Sequence, residues 1–326
     1  MEFIEKYFLK QKMMRTVLIA LLPVLIVSIY FQGWRVLFLT IVNIAFAILT
    51  EYIFEIKINK KNKISEAVLV TAILYTMTLP VSLPVWMSII GIIFGVFFGK
   101  MVFGGFGKNI FNPAIVGRAF IYINFPEPLT IHWNNFAKLG DFPGGFGTWM
   151  FEQIDSVSTA TPMLLFRNEG GSMTFTELLF GNVSGVIGET SKILILLCAA
   201  YLIYKKVASW QIMAGSVIGF TAITLLFNFM GVKSVPNPIE GMLLGGFVFG
   251  TVFMATDPIS AAKTPIGKWI YGILIGIVTV IIRGFALFSG GVMFAILIGN
   301  TFAPIIDYAV RAQKQKAKQK KEVAAQ

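Results

Sequence analysis

The chain has 326 residues, of which 56% are hydrophobic and only 13% charged, and its mean hydropathy is +0.77. That composition excludes an ordinary soluble domain and points to an all-α polytopic membrane protein. The formal net charge of +11 would mean nucleic acid in a soluble protein, but the basic residues sit in short clusters between apolar runs, as helix-orienting residues do, so a nucleic-acid partner is not expected.

Apolar runs of spanning length centre on residues 16–32, 36–54, 66–80, 84–103 and 109–125, then on 191–204, 210–229, 239–256, 268–285 and 288–307. This gives about ten transmembrane helices, of which the third and sixth are short. The first apolar run, Val17 to Phe31, follows a basic start and lacks a small-residue cleavage site, so it reads as a retained helix rather than a signal peptide.

With the N-terminus in the cytoplasm, the basic residues sort to one side: Lys6 to Arg15, Lys57 to Lys63, Lys100 and Lys108, Lys205 and Lys206, Lys263 and Lys268, and the run from Arg311 to Lys321. Arg35, Lys138, Arg167, Lys192 and Lys233 fall on the other side. This asymmetry follows the positive-inside rule and places both termini in the cytoplasm. Residues 126–190, rich in acidic side chains, then form a long extracytoplasmic segment. The expected divisions are a first five-helix half (1–125), the extracytoplasmic segment (126–190), a second half (191–310) and a basic cytoplasmic tail (311–326) read as a topology anchor with a disordered end.

Five spans before the long segment and five after it would run in opposite senses, the arrangement of two inverted five-helix repeats. The sequence carries a faint echo: span three ends on Leu79-Pro80-Val81-Ser82 and span eight on Asp257-Pro258-Ile259-Ser260. Chance similarity of apolar runs explains the echo equally well.

Helix breakers inside a membrane leave backbone groups that protein, water or ligand must satisfy. Gly99 to Pro113, GKMVFGGFGKNIFNP, is the densest such stretch. It reads either as an interspan loop of small residues or as a cradle in which Asn109 and Asn112 offer paired donors and acceptors to a heterocycle or phosphate. Charges within or beside spans are functional candidates because they are costly there. Arg118 would pair with a phosphate, a carboxylate or an exposed carbonyl. Asp257 and Asp307 are candidate Na⁺ ligands, and a helix-cap role explains each equally well. Arg283 reads as a snorkelling residue, and Glu51 and Glu66 as solvated span ends. The lone Cys198 allows no internal disulfide and no four-thiolate cluster, and the lone His132 no histidine metal site. The 31 phenylalanines need no cofactor to explain them.

One polar stretch stands apart, DSVSTATPM from Asp155 to Met163. Together with GGFGKNIFNPAIVGRAF, FMATDPISA and GVMFAILIGNTFAPIIDY, it resembles the membrane flavoprotein family that contains the RnfD component of Rnf-type ferredoxin:NAD⁺ reductases and the NqrB component of sodium-pumping NADH:quinone reductases. Its most specific element is Ser158-Thr159-Ala160-Thr161, similar to the family's covalent flavin-attachment pattern, with Asp155 at the spacing of flavin-transferase targets. The resemblance implies FMN in phosphoester linkage to Thr161. It also implies a second, noncovalent flavin (riboflavin or FMN) near Asn109, Asn112 and Arg118.

Further implications are a place among other subunits of an Rnf-type complex in a prokaryotic cytoplasmic (inner) membrane, maturation by a flavin transferase, and electron transfer coupled to Na⁺ or H⁺ transport. The quinone-reductase members usually carry a long extension before the first span, whereas apolar sequence here begins near Met13, which favours the Rnf type. The other readings are the NqrB component of a quinone reductase, a non-redox secondary transporter, and a scaffold without chemistry of its own. No nicotinamide-binding Gly-rich strand–helix unit or cysteine cluster occurs, so catalysis needs partner subunits.

Overall fold

The computed structural model describes residues 7–60, 63–130, 133–153, 174–181, 184–189, 191–286 and 290–324. The attachment motif, with Asp155, Ser158, Thr159, Ala160 and Thr161, lies outside the described residues, as does His132.

The protein is a multi-pass helical bundle. The first half holds α1 (Lys12–Gln32), α2 (Arg35–Tyr52, continued by a π-helical turn to Ile58), α3 (Ala67–Met77), α4 (Val85–Val96, continued to Met101) and α5 (Pro113–Asn124). Short β1 (Phe8–Leu9) and β2 (Ile64–Ser65) pair in parallel. Between the halves lie α6 (Pro126–Thr130) and α7 (Phe175–Phe180). The second half holds α8 (Lys192–Tyr204), α9 (Trp210–Phe229), α10 (Pro238–Leu243), α11 (Phe247–Phe249, continued to Met254), α12 (Pro265–Phe285) and α13 (Gly291–Ala324).

Five of these helices are long and apolar enough to cross a membrane. Ile19, Leu22 and Ile26 on α1, Leu197 on α8, and Leu225 and Phe229 on α9 face outward although apolar. Helices apolar on both faces suit a lipid surround, which neither penalises such side chains nor competes for backbone hydrogen bonds.

The runs read from sequence all contain helix, with informative differences. The fifth starts only at Pro113, because Asn112 is its N-cap and accepts from the amides of Ala114 and Ile115; proline at the first helical position has no amide to leave unsatisfied. The eighth is split between α10 and α11 by Leu244, Gly245 and Gly246, with Gly245 at φ +63°. The basic tail is not a disordered end: α13 runs on to Ala324.

Both halves pack in the same order. Second helix packs on fourth and fourth on fifth, as α2 on α4 and α4 on α5, then α9 on α12 and α12 on α13; first also meets third, as α1 with α3 and α8 with α11. The halves meet through α1 with α8 and α5 with α13. Glycines permit the closest approaches. A Cβ at Gly276 of α12 would run into the Ser216 carbonyl and the Phe220 amide of α9, and one at Gly95 of α4 into the Pro113 carbonyl of α5. Small residues at such crossings let backbones approach where lipid supplies no hydrophobic drive.

Each half contains a break whose backbone is satisfied from elsewhere. After α3, the Met77 and Leu79 carbonyls accept from the Gly188 and Ile187 amides at 2.6 and 2.9 Å. Arg35 donates from Nε to the Val81 carbonyl at 2.7 Å and from Nη2 to that of Leu83 at 3.0 Å. Arg35 thus holds a helix break together rather than only marking a membrane face. After α11, the Met254 carbonyl accepts from Asn112 Nδ2 and the Ser260 carbonyl from Asn300 Nδ2.

The described part of the long segment folds back on the α1–α2 turn. Trp34 Nε1 donates to the Phe146 carbonyl at 2.9 Å, and the Ala137 amide to that of Phe31 at 2.9 Å. In the α7 capping box, the Thr174 hydroxyl and amide both donate to Glu177, holding that carboxyl below the usual carboxylate range. The cap is complete at neutral pH and is lost as pH falls through that lowered value.

Replacing Gly276 with Leu is expected to lower stability by about 1–3 kcal/mol or more, as overpacking does. Thermal unfolding of the purified protein in detergent measures it.

Candidate functional site

Two internal cavities flank the junction of α5 with α11. Along α5, Asn112 and Pro113 line the first cavity, and Ile115, Arg118 and Tyr122 the second. The α11 segment also lines both: Phe249, Gly250 and Met254 the second cavity, and Val252, Phe253, Thr256 and Asp257 the first.

Lys100, on the wall of the first cavity, belongs to a buried ion pair. Lys100 Nζ donates to Glu51 Oε2 and to Ser65 Oγ, both at 2.6 Å. Glu51 Oε1 accepts from the Ser65 amide at 2.9 Å and hydroxyl at 2.6 Å. Lys100 is 2% exposed and Glu51 1%. Three elements distant in sequence build this cluster: the end of α2, strand β2, and the π-helical end of α4. Glu51 is therefore not a solvated span end, and Lys100 not a surface topology marker. Glu66 is also occupied, paired with Arg15 and accepting from the Gln11 amide at 2.7 Å.

Asp257 lines the same cavity as Lys100. Its two oxygens accept from the Ile259 amide at 3.2 Å and the Ser260 hydroxyl at 2.8 Å, an Asx turn that fixes the carboxylate at the break. Asp307 has a different place: it accepts from the Lys263 amide at 2.7 Å and from the Thr264 amide and hydroxyl at 2.9 and 2.6 Å, just ahead of α12. These bonds give Asp307 a capping role. Among the described residues no cluster of three or more His, Cys, Asp or Glu forms a metal centre.

The second cavity is lined by Arg118, Tyr122, Trp133, Glu189, Phe249 and Arg283 among others. Arg283 is 4% exposed; its Nη1 donates to the Gly241 carbonyl at 2.9 Å. Arg283 Nε and Arg118 Nη1 are buried without a partner among the described residues. Buried donors left unpaired are costly, more so on a cation, and so call for an explanation. Glu189 is near enough to Arg118, Lys192 and Arg283 for their charges to interact. Three cations thus face one carboxylate. Gly245 and Gly246 make the space: a Cβ at Gly245 would lie 3.1 Å from Arg283 Nη2, and one at Gly246 3.2 Å from Glu189 Oε1.

Asn109, Asn112 and Arg118 therefore do not form a single site. The polar atoms of the Asn112 side chain are spent on capping α5 and on the Met254 carbonyl, and its amide donates to Asn300 Oδ1 at 3.1 Å. Asn109 faces the first cavity, its Nδ2 donating to the Phe111 carbonyl while Oδ1 is buried without a partner among the described residues. Arg118 faces the second cavity. Arg283 does not snorkel; it is a buried wall residue. Lys100, Glu51, Glu189 and Lys192 do not stand out as site residues in the sequence. Their one local signal is a charge set in or beside apolar sequence, as in AILTEYIFEI and FFGKMVF.

A family model described as the NQR2, RnfD, RnfE family matches residues 3–316. The NqrB component of the Na(+)-translocating NADH-quinone reductase of Azotobacter vinelandii is 39% identical over 264 residues, covering 77% of this chain and 61% of the relative. The same component from Pseudomonas paraeruginosa is 37% identical over 303 residues, covering 89% and 66%. That of Klebsiella pneumoniae (strain 342) is 36% identical over 268 residues, covering 77% and 61%. The chain thus spans 61–66% of the length of these curated relatives.

Glu51→Gln strands the Lys100 ammonium without a counter-charge and is expected to cost about 3–5 kcal/mol, whereas Glu51→Leu with Lys100→Met, which removes both charges, restores most of that loss. Thermal unfolding of the two variants beside the parent protein tests this.

Proposed function

The chain belongs to the NQR2, RnfD, RnfE family, and from that premise we propose that it is the electron-carrying flavoprotein subunit of an ion-translocating oxidoreductase complex. The observation that carries this reading is the pairing of two cavities on one helix junction. One carries Asp257, Asn109, Thr256 and Lys100 on an otherwise mostly apolar wall, and the other holds guanidinium N–H groups without partners among the described residues. The first suits a cation and the second an anionic or carbonyl-rich group.

In this reading FMN is attached through its phosphate to Thr161, with Ser158, Thr159 and Ala160 completing the motif and Asp155 serving recognition by a flavin transferase. The N-terminus is cytoplasmic and the attachment segment lies outside, where the transferase acts. A second, noncovalent flavin occupies the Arg118 cavity. The donor set there fits it: two guanidiniums can face the carbonyl-bearing edge of a flat ring, and Tyr122, Trp133 and Phe249 supply an apolar wall. Bound flavin supplies electron transfer, and the chain supplies position, dryness and positive charge. Asp257 belongs to the cation path, with Thr256 beside it; Asp307 steadies the turn that leads into α12.

In finer terms we propose an Rnf-type complex, with ferredoxin and NAD⁺ as its redox partners. A second reading, the NqrB component of a Na⁺-translocating NADH:quinone reductase, is favoured by the names of the relatives. Deleting the gene decides between the branches. Membranes that lose ferredoxin-linked NAD⁺ reduction support the first, and membranes that lose NADH-dependent quinone reduction support the second.

Two measurements test the flavin reading. In-gel fluorescence after denaturation should show covalent flavin on the peptide containing Thr161, absent in Thr161→Ala; a fully matured complex with no covalent flavin overturns it. Arg118→Gln should release most of the acid-extractable flavin from the purified complex while leaving the covalent flavin in place. Unchanged extractable flavin removes Arg118 from that role.

A further inference from the structure

Trp34 and Trp86 sit at the starts of α2 and α4, and Trp210 and Trp269 at the starts of α9 and α12. Tryptophan collects at the membrane–water boundary, where its ring meets acyl chains and its N–H meets water. Trp149 is half-exposed like Trp34 and Trp86, yet it belongs to no helix. It lies in the loop that folds back on the α1–α2 turn. Its ring lies 5.5 Å from that of Phe38, which is about 5 Å along α2 from the first residue of that helix.

The loop hangs on the lipid side of both helices. On α1, Leu22, Ile26 and Tyr30 follow one another at intervals of four and so share one face, and Leu22 and Ile26 are exposed apolar residues. The Tyr30 hydroxyl donates to the Lys138 carbonyl at 3.1 Å and accepts from the Gly140 amide at 3.2 Å. The loop backbone lies close against the same ring, since a Cβ at Gly144 would run into it. On α2, Trp34, Phe38 and Ile41 are likewise exposed and share a face. Trp34 Nε1 donates to the Phe146 carbonyl, and the Trp34 and Arg35 amides donate to the Thr148 and Trp149 carbonyls at 3.2 and 2.9 Å. These loop carbonyls are therefore already paired, as backbone at the edge of a bilayer must be.

The side chains left over are of two kinds. Leu139 is 57% exposed and Phe142 87%. Beside them Lys138 and Asp141 are exposed too, with the Asp141 carboxylate accepting from the Lys138 amide at 3.1 Å. Large apolar and charged groups within four residues suit neither hydrocarbon nor open water, and they suit the layer between the two. The base of the loop is pinched shut. The Asn135 amide donates to the Glu152 carbonyl at 3.0 Å, and Asn134 Nδ2 to that of Phe151 at 2.7 Å.

We propose that residues 138–149 form a clasp seated in the interfacial layer of the bilayer, with Leu139, Phe142 and Trp149 against the acyl chains and Lys138 and Asp141 among the headgroups. Lipid, rather than another protein, covers this face, because the patch continues the exposed apolar faces of α1 and α2 that run on through the membrane. The clasp goes beyond the functional reading above and does not depend on it. It fixes the level, relative to the bilayer, at which the chain leaves the Asn134–Gln153 bridge and enters the stretch that contains Asp155 and Thr161.

The test places p-benzoylphenylalanine at position 142 of the chain in the whole complex, in native membranes, and illuminates it. The excited ketone inserts into nearby C–H bonds and not into water. The expected product is a peptide containing residue 142 with the added mass of a phospholipid. Its yield should approach that of the same probe at Ile26, a lipid-facing position, and exceed several-fold that at Lys318, which is exposed on the tail. The probe at Leu139 should behave like that at 142, and it serves in its place if the first variant does not assemble. Adding Phe142→Asp to the Leu139 probe should lower its lipid adduct several-fold. Thermal unfolding of Phe142→Asp in detergent should stay at the parent value, because that side chain is almost wholly exposed.

A cross-link from these positions to another subunit overturns the proposal and makes the face a protein interface. A probe that gives neither lipid nor protein adduct places the loop in water and overturns it as well. A lipid adduct at Leu139 that is unchanged by Phe142→Asp removes Phe142 as the seat of the clasp and overturns it in the form given.

Discussion

Everything in this fold depends on keeping broken helices satisfied where no water can do it. A peptide group left unpaired in an apolar surround costs several kcal/mol (order of magnitude), yet the chain breaks after α3 and again after α11. Side chains and amides from distant elements fill both gaps: Arg35 and the 187–188 amides at the first, Asn112 and Asn300 at the second. One of those partners, Asn112, also lines the first cavity. Asn112 and Met254, joined across the second break, belong to the first and the second cavity respectively. Satisfying the backbone and building the site are here one operation.

The interior charges follow the same logic with larger stakes. Lys100 and Lys192 are among the largest fully buried side chains of the protein, and an ion so placed must find partners within the protein. Lys100 has two oxygen acceptors at 2.6 Å, whereas Arg118 and Arg283 keep donors unspent among the described residues. A satisfied charge beside a wall with one carboxylate, Asp257, and unsatisfied charges beside an aromatic-lined space are different devices.

The sequence was most legible where physics is local. Apolar runs marked the helices, and the short third and sixth runs became the short α3 and α8, whereas the Asn-Pro starts of α5 and α10 came only with the structure. Interior function was less legible because it depends on pairs remote in the chain. Glu51 and Lys100 are 49 residues apart; each alone looks like a charge at the end of a span, and the positive-inside rule absorbs Lys100 without complaint. Arg283 was misread for the same reason, since snorkelling and burial begin from the same local pattern. Asn109 and Arg118 stand close together in the chain, yet they face different cavities because Asn112 starts a new helix between them.

That last point bears on coupling. Residues of α5 and the α11 segment line both cavities, and Asn112 ties the two together while capping α5 and donating from its amide to Asn300 on α13. A displacement of α11 against α5 cannot reshape one cavity without reshaping the other, because close-packed interiors transmit strain rather than absorb it. Gly95 and Gly99, packed against Pro113, extend the same close contact to the helix that bears Lys100. In the proposed reading, a change of charge on the guanidinium side and a change of cation on the carboxylate side therefore act on one shared joint. Reciprocal linkage between the two sites then needs no long chain of intermediaries.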